Sequence, residues 1–271
     1  MSSGSEIDAE GVALRAIGIH KRYGHVHALK GMDLEVRYGE VVALVGDNGA
    51  GKSTFVKTVA GVHEPDEGEL WIGGHRARFR SPHDARRAGV EVVYQDLALA
   101  PDLPVWSNLF LGWPRRVNGI LGKLGWLDKR AMREEAGQQL ARLQIDLGSA
   151  DLLVEDLSGG QRQAVAVARG VAWGRRLILL DEPTNNLGVP EQLKVLDLIT
   201  RLASAGIAVL IVSHNLEHVF RVAERLVVLR NGRTVASAVT QRTSSEEVIG
   251  WITGLAETSP TIRSDLTSGH D

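Results

Sequence analysis

After Glu40 comes an unbroken apolar run, Val41-Val42-Ala43-Leu44-Val45, and the chain then reads Gly46-Asp47-Asn48-Gly49-Ala50-Gly51-Lys52-Ser53-Thr54. The run has the length and continuity of a strand buried on both faces. The glycine-rich stretch fits G-x-x-x-x-G-K-[ST], a loop that cradles phosphate. Glycine supplies the backbone conformations that let successive N–H groups curl around an anion. A helix expected over 52–60 would turn its positive end toward the same anion. Lys52 is then in position to reach β- and γ-phosphates, and the Ser53 hydroxyl to ligate Mg²⁺. The plain alternative is a glycine-rich turn before an ordinary helix. The strand on one side and the helix on the other weigh against it.

Further on, Leu177-Ile178-Leu179-Leu180 ends in Asp181-Glu182. A buried strand need not end in two acids. Beside a phosphate loop, Asp181 can serve the Mg²⁺ shell and Glu182 can polarise an attacking water. Gln95 follows the apolar Val92-Val93-Tyr94, and its amide oxygen can reach the metal or that water. His214 follows the apolar run 209–213, at the strand end where a γ-phosphate sensor would sit. Taken alone, either residue reads more simply as a hydrogen-bonded strand end. Ser158-Gly159-Gly160-Gln161 opens a helix, and Ser158 with Gln161 has the spacing of a capping box. Two consecutive glycines exceed what a cap requires and weaken a first turn. They suit a helix start that an anion must approach closely. Tyr23, before Gly24, is a candidate for stacking on a base, or else a plain surface tyrosine. Trp106 and Trp113 read either as a contact surface or as core.

Composition bounds the remaining readings. The chain has 271 residues, 44% hydrophobic and 24% charged, as an ordinary globular protein has. A net charge of −2 gives no reason to invoke nucleic acid. No cysteine is present, so disulfide and thiolate chemistry are excluded. The nine histidines show no metal-ligand spacing such as H-E-x-x-H. No apolar run approaches the roughly 18 residues of a membrane span. Residues 1–10 are polar and acidic, unlike a signal peptide.

Strand patterns occupy 11–20, 32–37, 69–72 and 75–79, with Gly73-Gly74 as a hairpin turn between the last two. A short helix is expected over 84–88 and a strand over 90–94. From 96 to 155 the pattern turns helical. Asp128 is placed to cap a helix over 129–143, whose apolar face carries Met132, Ala136, Leu140 and Leu143. After Ser158 the alternation is helix 161–172, strand 177–180, helix 190–205, strand 207–213, helix 217–223. A hairpin of 225–229 and 234–236 follows, turning at Asn231-Gly232. Such alternation implies an α/β core with a parallel sheet covered by helices. Residues 258–271 are rich in Ser, Thr, Asp and Gly and are expected to fray.

These motifs, in this order and from 12 to 254, resemble the ATP-binding subunits of ABC transporters. Other phosphate-loop NTPases lack the Leu157-Ser158-Gly159-Gly160-Gln161 signature, so it is the specific element. The resemblance implies a P-loop NTPase core with an antiparallel β subdomain and an inserted helical subdomain of roughly 96–160. A single cassette would span 11–254, with 1–10 and 255–271 as flexible tails. ATP and Mg²⁺ are the implied ligands. The resemblance also implies a head-to-tail dimer, a homodimer or a pair with a paralogue. ATP on Lys52 of one cassette would then meet Ser158, Gly159 and Gly160 of the other. Within the family the chain looks most like the ribose, xylose and fructose importers. That likeness rests on Val93-Tyr94-Gln95-Asp96-Leu97-Ala98-Leu99, Asn108-Leu109-Phe110-Leu111-Gly112, Pro183-Thr184-Asn185-Asn186-Leu187-Gly188-Val189 and Ser213-His214-Asn215-Leu216. Gly188 stands where the family in general has Asp, which removes a carboxylate that elsewhere links the two ATP sites. The implied partners are a separate multi-span permease, touched by 97–112, and indirectly a substrate-binding protein. The implied place is the cytoplasmic face of the inner membrane, as a peripheral subunit. An exporter ATPase, and a soluble ABC-type ATPase of DNA repair or translation, remain the alternatives. Long coiled-coil insertions or tandem cassettes would mark the latter, and this sequence has neither.

Overall fold

The computed structural model describes residues 11–173 and 176–256. Its elements run β1 (Val12–Tyr23), β2 (Val26–Arg37), β3 (Val41–Val45), α1 (Lys52–Val59), β4 (Glu67–Ile72), β5 (His75–Ala77), α2 (Pro82–Arg87), β6 (Val90–Val93) and α3 (Val105–Leu109). Then come α4 (Ile120–Lys123), α5 (Lys129–Arg142), α6 (Gly159–Trp173), β7 (Leu177–Asp181), α7 (Val189–Ser204), β8 (Ala208–Val212), α8 (Leu216–Val222), β9 (Arg225–Arg230), β10 (Arg233–Val239) and α9 (Ser245–Thr253).

Two sheets form. The first is antiparallel, in the order β2-β1-β4-β5; the second has six strands in the order β10-β9-β3-β8-β7-β6. In the second, β9, β3, β8, β7 and β6 pair in parallel and only β10 is antiparallel. The continuous apolar runs explain its central place. Every residue of β3 and β8 is buried, and side chains alternate between two faces. Val41, Ala43, Val45, Ile178, Leu180, Val209 and Ile211 join the cluster that holds α5 to α9. Val42, Leu44, Leu177, Leu179, Leu210 and Val212 face the other cluster, with α1 and the antiparallel sheet. Each fully buried Leu, Ile or Val side chain stabilises the fold by roughly 1.5–3 kcal/mol. The architecture is the expected α/β core flanked by an antiparallel sheet.

The segment between β6 and α6 is helical. Asp128 caps α5 by accepting from the Ala131 amide at 3.0 Å, and Met132, Ala136 and Leu140 are its buried face. Asn108 is fully buried. Its side chain accepts from the Ala100 amide and donates to the carbonyls of Ala100, Leu103 and Pro104, pinning the loop 100–104 to α3. Trp106 belongs to this core, only 7% exposed, and Arg133 lies over its ring at 5.1 Å. It is therefore not surface. The expected strand over 32–37 begins earlier, at Val26, because the β1–β2 hairpin extends the ladder to the Tyr23–Val26 pair. The pattern also passed over α4 and α9. The latter starts with a capping box between Ser244 and Glu247. The expected fraying over 258–271 lies outside the described residues. Among the described residues, no helix is long and apolar enough to cross a membrane.

Candidate functional site

Four neighbouring parallel strands, in the spatial order β3-β8-β7-β6, end along one edge of the sheet. Ligands of open α/β sheets bind outside the carboxyl ends of such strands. Their register keeps the ends level: Leu44 pairs with Val212, Val212 with Asp181, and Leu180 with Val93. Gly46 and Glu182 directly follow β3 and β7, and His214 and Gln95 stand two residues past the ends of β8 and β6. Strand register thus gathers four motifs that are far apart in sequence.

A cleft of about 580 Å³ lies there, within the usual range for a small-molecule site. Its walls include Asn48, Gly49, Lys52, Ser53, Thr54, Gln95, Asp181, Glu182 and His214. Gly46 and Gly51 of the loop are sterically required. A Cβ on Gly46 would collide with the Leu229 carbonyl oxygen, and one on Gly51 would lie 2.8 Å from that of Ala28. Gly51 also caps α1 with φ of 110°, a conformation that disfavours any side chain. Lys52 Nζ donates to the Gly46 carbonyl at 2.6 Å and the Asp47 carbonyl at 2.9 Å. Burial holds its ammonium below the ordinary lysine pKa, opposed by Glu182, Asp47 and Asp181. Burial, then the charge of Glu182, raises the Asp181 carboxyl, against the pull of Lys52.

Glu182 has φ of 51°, in the left-handed region that a glutamate seldom adopts. Its backbone is held there by the Val212 carbonyl, which accepts from the Glu182 amide at 2.9 Å. Its Oε1 lies 2.8 Å from His214 Nδ1. Its Oε2 is buried with no hydrogen-bond partner. An orphaned carboxylate oxygen in a polar cleft is costly unless a ligand, ion or water completes it. Ser53, Gln95 and Asp181 would offer oxygen donors only, the set that suits a hard divalent cation such as Mg²⁺.

Some residues of this site escaped the sequence reading. Val26, His27, Ala28, Lys30, Asn185 and Asn231 also line the cleft. Tyr23 stands at the end of β1, beside that wall. Its ring meets His63 edge-on with centroids 5.3 Å apart. Thr184 Oγ1 and His218 Nδ1 lie 2.9 Å apart in the interior. Asn215 caps α8 on the His218 amide. This buried bond ties the turn after Glu182 to the helix after His214. Only the Pro183-Thr184 and His214-Asn215 neighbourhoods hinted at it.

The signature residues stand elsewhere. Ser158, Gly160 and Gln161 line a separate cleft of about 490 Å³ between α6 and α7. The capping box is formed: Gln161 Oε1 accepts from the Ser158 amide at 2.9 Å, and Ser158 Oγ from the Gln161 amide at 3.3 Å. Packing supplies a reason for the glycine pair beyond access to an anion. A Cβ on Gly160 would lie 2.7 Å from Glu191 Cβ, and one on Gly159 would lie 3.1 Å from Leu187 Cδ2. The turn that leads into α7 sits directly against the start of α6.

The comparisons with known proteins agree with this geometry. The family model described as ABC transporter matches residues 29–185. A xylose/arabinose import ATP-binding protein of Sulfolobus acidocaldarius is 46% identical over 238 residues, 88% of this chain and 92% of the relative. A fructose import ATP-binding protein of Rhizobium meliloti is 43% identical over 248 residues, 90% of this chain and 95% of the relative. Among solved structures, a nucleotide-free ATP-binding cassette from an ABC transporter superposes with a TM-score of 0.75 at 25% identity, covering 93% of this chain and 97% of the other. A dimeric bacterial ABC transporter cassette superposes with a TM-score of 0.67 at 25% identity, covering 84% and 98%. The chain belongs to the ABC transporter family, as an ATP-binding and ATP-hydrolysing cassette.

Proposed function

We propose that this cassette energises import of a sugar through a separate multi-span permease, at the cytoplasmic face of the membrane. A substrate-binding protein would deliver the sugar. The relatives named for xylose/arabinose and fructose import support the cargo class and the direction. The observation that carries the catalytic reading is Glu182. One carboxylate oxygen is tied to His214 and the other is buried without a partner beside Lys52, Ser53 and Gln95.

In this reading the amides of 46–54 and the Lys52 ammonium bind the phosphates of ATP. Tyr23, with Val26 and His27, forms the side toward the base. Glu182 Oε2 accepts a hydrogen bond from the attacking water and takes its proton as the bond to the γ-phosphorus forms and the bond from that phosphorus to the β–γ bridging oxygen breaks, with ADP as the leaving group. His214 keeps the Glu182 carboxylate aimed. Ser53, Gln95 and Asp181 would hold Mg²⁺. The ion would supply charge neutralisation to the phosphates. The raised Asp181 pKa fits such a position, because a nearby cation would restore the ionised form.

None of the signature residues lines the nucleotide cleft within one chain. A second copy, facing head to tail, would bring its Ser158, Gly159 and Gly160 over the γ-phosphate. ATP would then bridge two surfaces that separate after hydrolysis. The test is capture of tagged Glu182→Gln from membranes with ATP. Recovery of a multi-span permease and a sugar-binding protein is the expected result. Recovery of soluble proteins or nucleic acid alone would overturn the transport reading and leave the ATPase.

A further inference from the structure

Exposed large apolar side chains elsewhere on the described surface stand singly or in sequence pairs, as is normal for a soluble domain. Residues 113–127 differ. Trp113, Ile120, Leu121, Leu124, Trp126 and Leu127 are all exposed, with Ile120 at 77%, Leu124 at 71% and Trp126 at 63%. They belong to one small, well-formed hairpin. The Val117 amide donates to the Trp126 carbonyl at 3.1 Å and the Asp128 amide to the Arg115 carbonyl at 2.9 Å. Arg116 and Leu127 form an antiparallel bridge, and α4 makes the tip. Gly122 is the pivot of that tip, since a Cβ there would collide with the Val117 carbonyl oxygen. The base is anchored: Arg115 pairs with Glu135 of α5 at 2.5 Å, and Trp113 stacks on His83 with centroids 5.6 Å apart. The hairpin is therefore held outward with its apolar tip uncovered.

The charge on this hairpin is as uneven as its hydropathy. From 103 to 127 the chain has no Asp or Glu; Arg115 is matched by Glu135, while Arg116 and Lys123 sit among the apolar residues. The protein as a whole carries −2. A local cationic surface on an acidic body, made of Trp, Leu and Ile interleaved with Arg and Lys, matches the interface of a bilayer. Indole rings settle at headgroup depth, aliphatic tips enter the acyl boundary, and cationic stems reach lipid phosphates.

We propose that the hairpin 113–127 docks directly on the surface of an anionic phospholipid bilayer, through the tip formed by Ile120, Leu121, Leu124 and Trp126, with Arg116 and Lys123 on lipid phosphates. The hairpin is separate from the nucleotide cleft and lies beyond 97–112, the segment expected to touch the permease. It would orient the cassette on the membrane before or during assembly.

The full chain would be sedimented with vesicles of phosphatidylglycerol and phosphatidylcholine, with vesicles of phosphatidylcholine alone, and in lipid-free buffer. The expected result is pelleting with the anionic vesicles that weakens as salt is raised. Arg116→Gln with Lys123→Gln should lower vesicle affinity by about tenfold or more at low salt, since each cation near such a surface contributes roughly fivefold. Leu124→Glu with Trp126→Ser should abolish pelleting. All four side chains are exposed, so ATP affinity and the melting temperature should hold. The proposal is overturned if the wild type stays in the supernatant with both vesicle types, or if pelleting survives Leu124→Glu with Trp126→Ser. It is equally overturned if the wild type self-associates without lipid in a way Leu124→Glu removes. A second copy would then be the occupant. Binding only to proteoliposomes that hold the permease would assign the tip to protein instead.

Discussion

Two helix starts in this molecule stand where the proposed mechanism needs an anion, and they differ in how much of the site one chain supplies. At the start of α1, the loop 46–51 packs against Leu229 and Ala28, and the cleft beside it already brings together two lysines, two carboxylates, a glutamine and two histidines. At the start of α6, Ser158 caps its own helix and faces a cleft walled by α7 and the 144–147 turn. The first is a complete pocket and the second is half of one. In the proposed reading, binding belongs to the single chain, whereas turnover needs a surface from outside it.

The sharpest way to test that division is Glu182→Gln. It removes the base but keeps shape and most hydrogen bonding, so turnover should fall by about 10²–10⁴-fold. ATP affinity should stay within a few-fold, read by equilibrium binding and by steady-state phosphate release. A variant that hydrolyses at the wild-type rate would sink the assignment.

Ser158→Arg probes the other helix start. Nucleotide binding by the monomer should be unchanged, while ATP-dependent dimerisation and turnover should fall by at least about tenfold, because a buried unpaired guanidinium at a closing interface is strongly unfavourable. Sedimentation velocity with ATP on a slow-hydrolysing background would show it. Persistence of the dimer would mean that α6 does not face a second nucleotide.

Lys52→Ala should weaken ATP binding by roughly 10–100-fold, the loss of a charge-assisted contact of about 1.5–3 kcal/mol. Titration calorimetry reads this directly. An equal loss from Ser158→Arg would erase the distinction between the two starts.

The smallest effects concern packing. Gly160→Ala places a methyl 2.7 Å from Glu191 Cβ and should destabilise the α6–α7 contact by about 1–3 kcal/mol. Gly159→Ala meets only the tip of Leu187, at 3.1 Å, and should cost less. If both variants melt with the wild type and only turnover falls, the glycine pair serves the anion rather than the packing.

Much of the nucleotide cleft was legible because its parts are local. A phosphate loop is a run of consecutive amides, and Gly46, Gly51 and Lys52 act through their spacing along the chain. The buried strands announced themselves as apolar runs of strand length. What escaped depends on partners distant in sequence. The bond between Thr184 and His218 joins positions that carry no joint pattern. Val26, His27 and Asn231 reach the cleft only because β2 and the β9–β10 turn pass beside the loop. Trp106 has the composition of a surface anchor but is covered by Arg133 and the core around α5. The start of α9 was a missed local signal, since Ser244 and Glu247 stand at capping-box spacing.

The sequence by itself determined that the chain carries a glycine loop at the start of a helix, in a βα core, with acids at a strand end and a second glycine-opened helix. Those are short-range facts, set by backbone sterics and by periods of two and 3.6 residues. Only the tertiary structure decided that Glu182 is held at a positive φ with one oxygen on His214 and the other unpartnered. It alone decided that the signature lies off the cleft, and that an apolar, cationic hairpin stands uncovered. Strand order and side-chain burial are set by the packing of remote segments against one another. No local pattern of residues encodes which side chain another segment will cover.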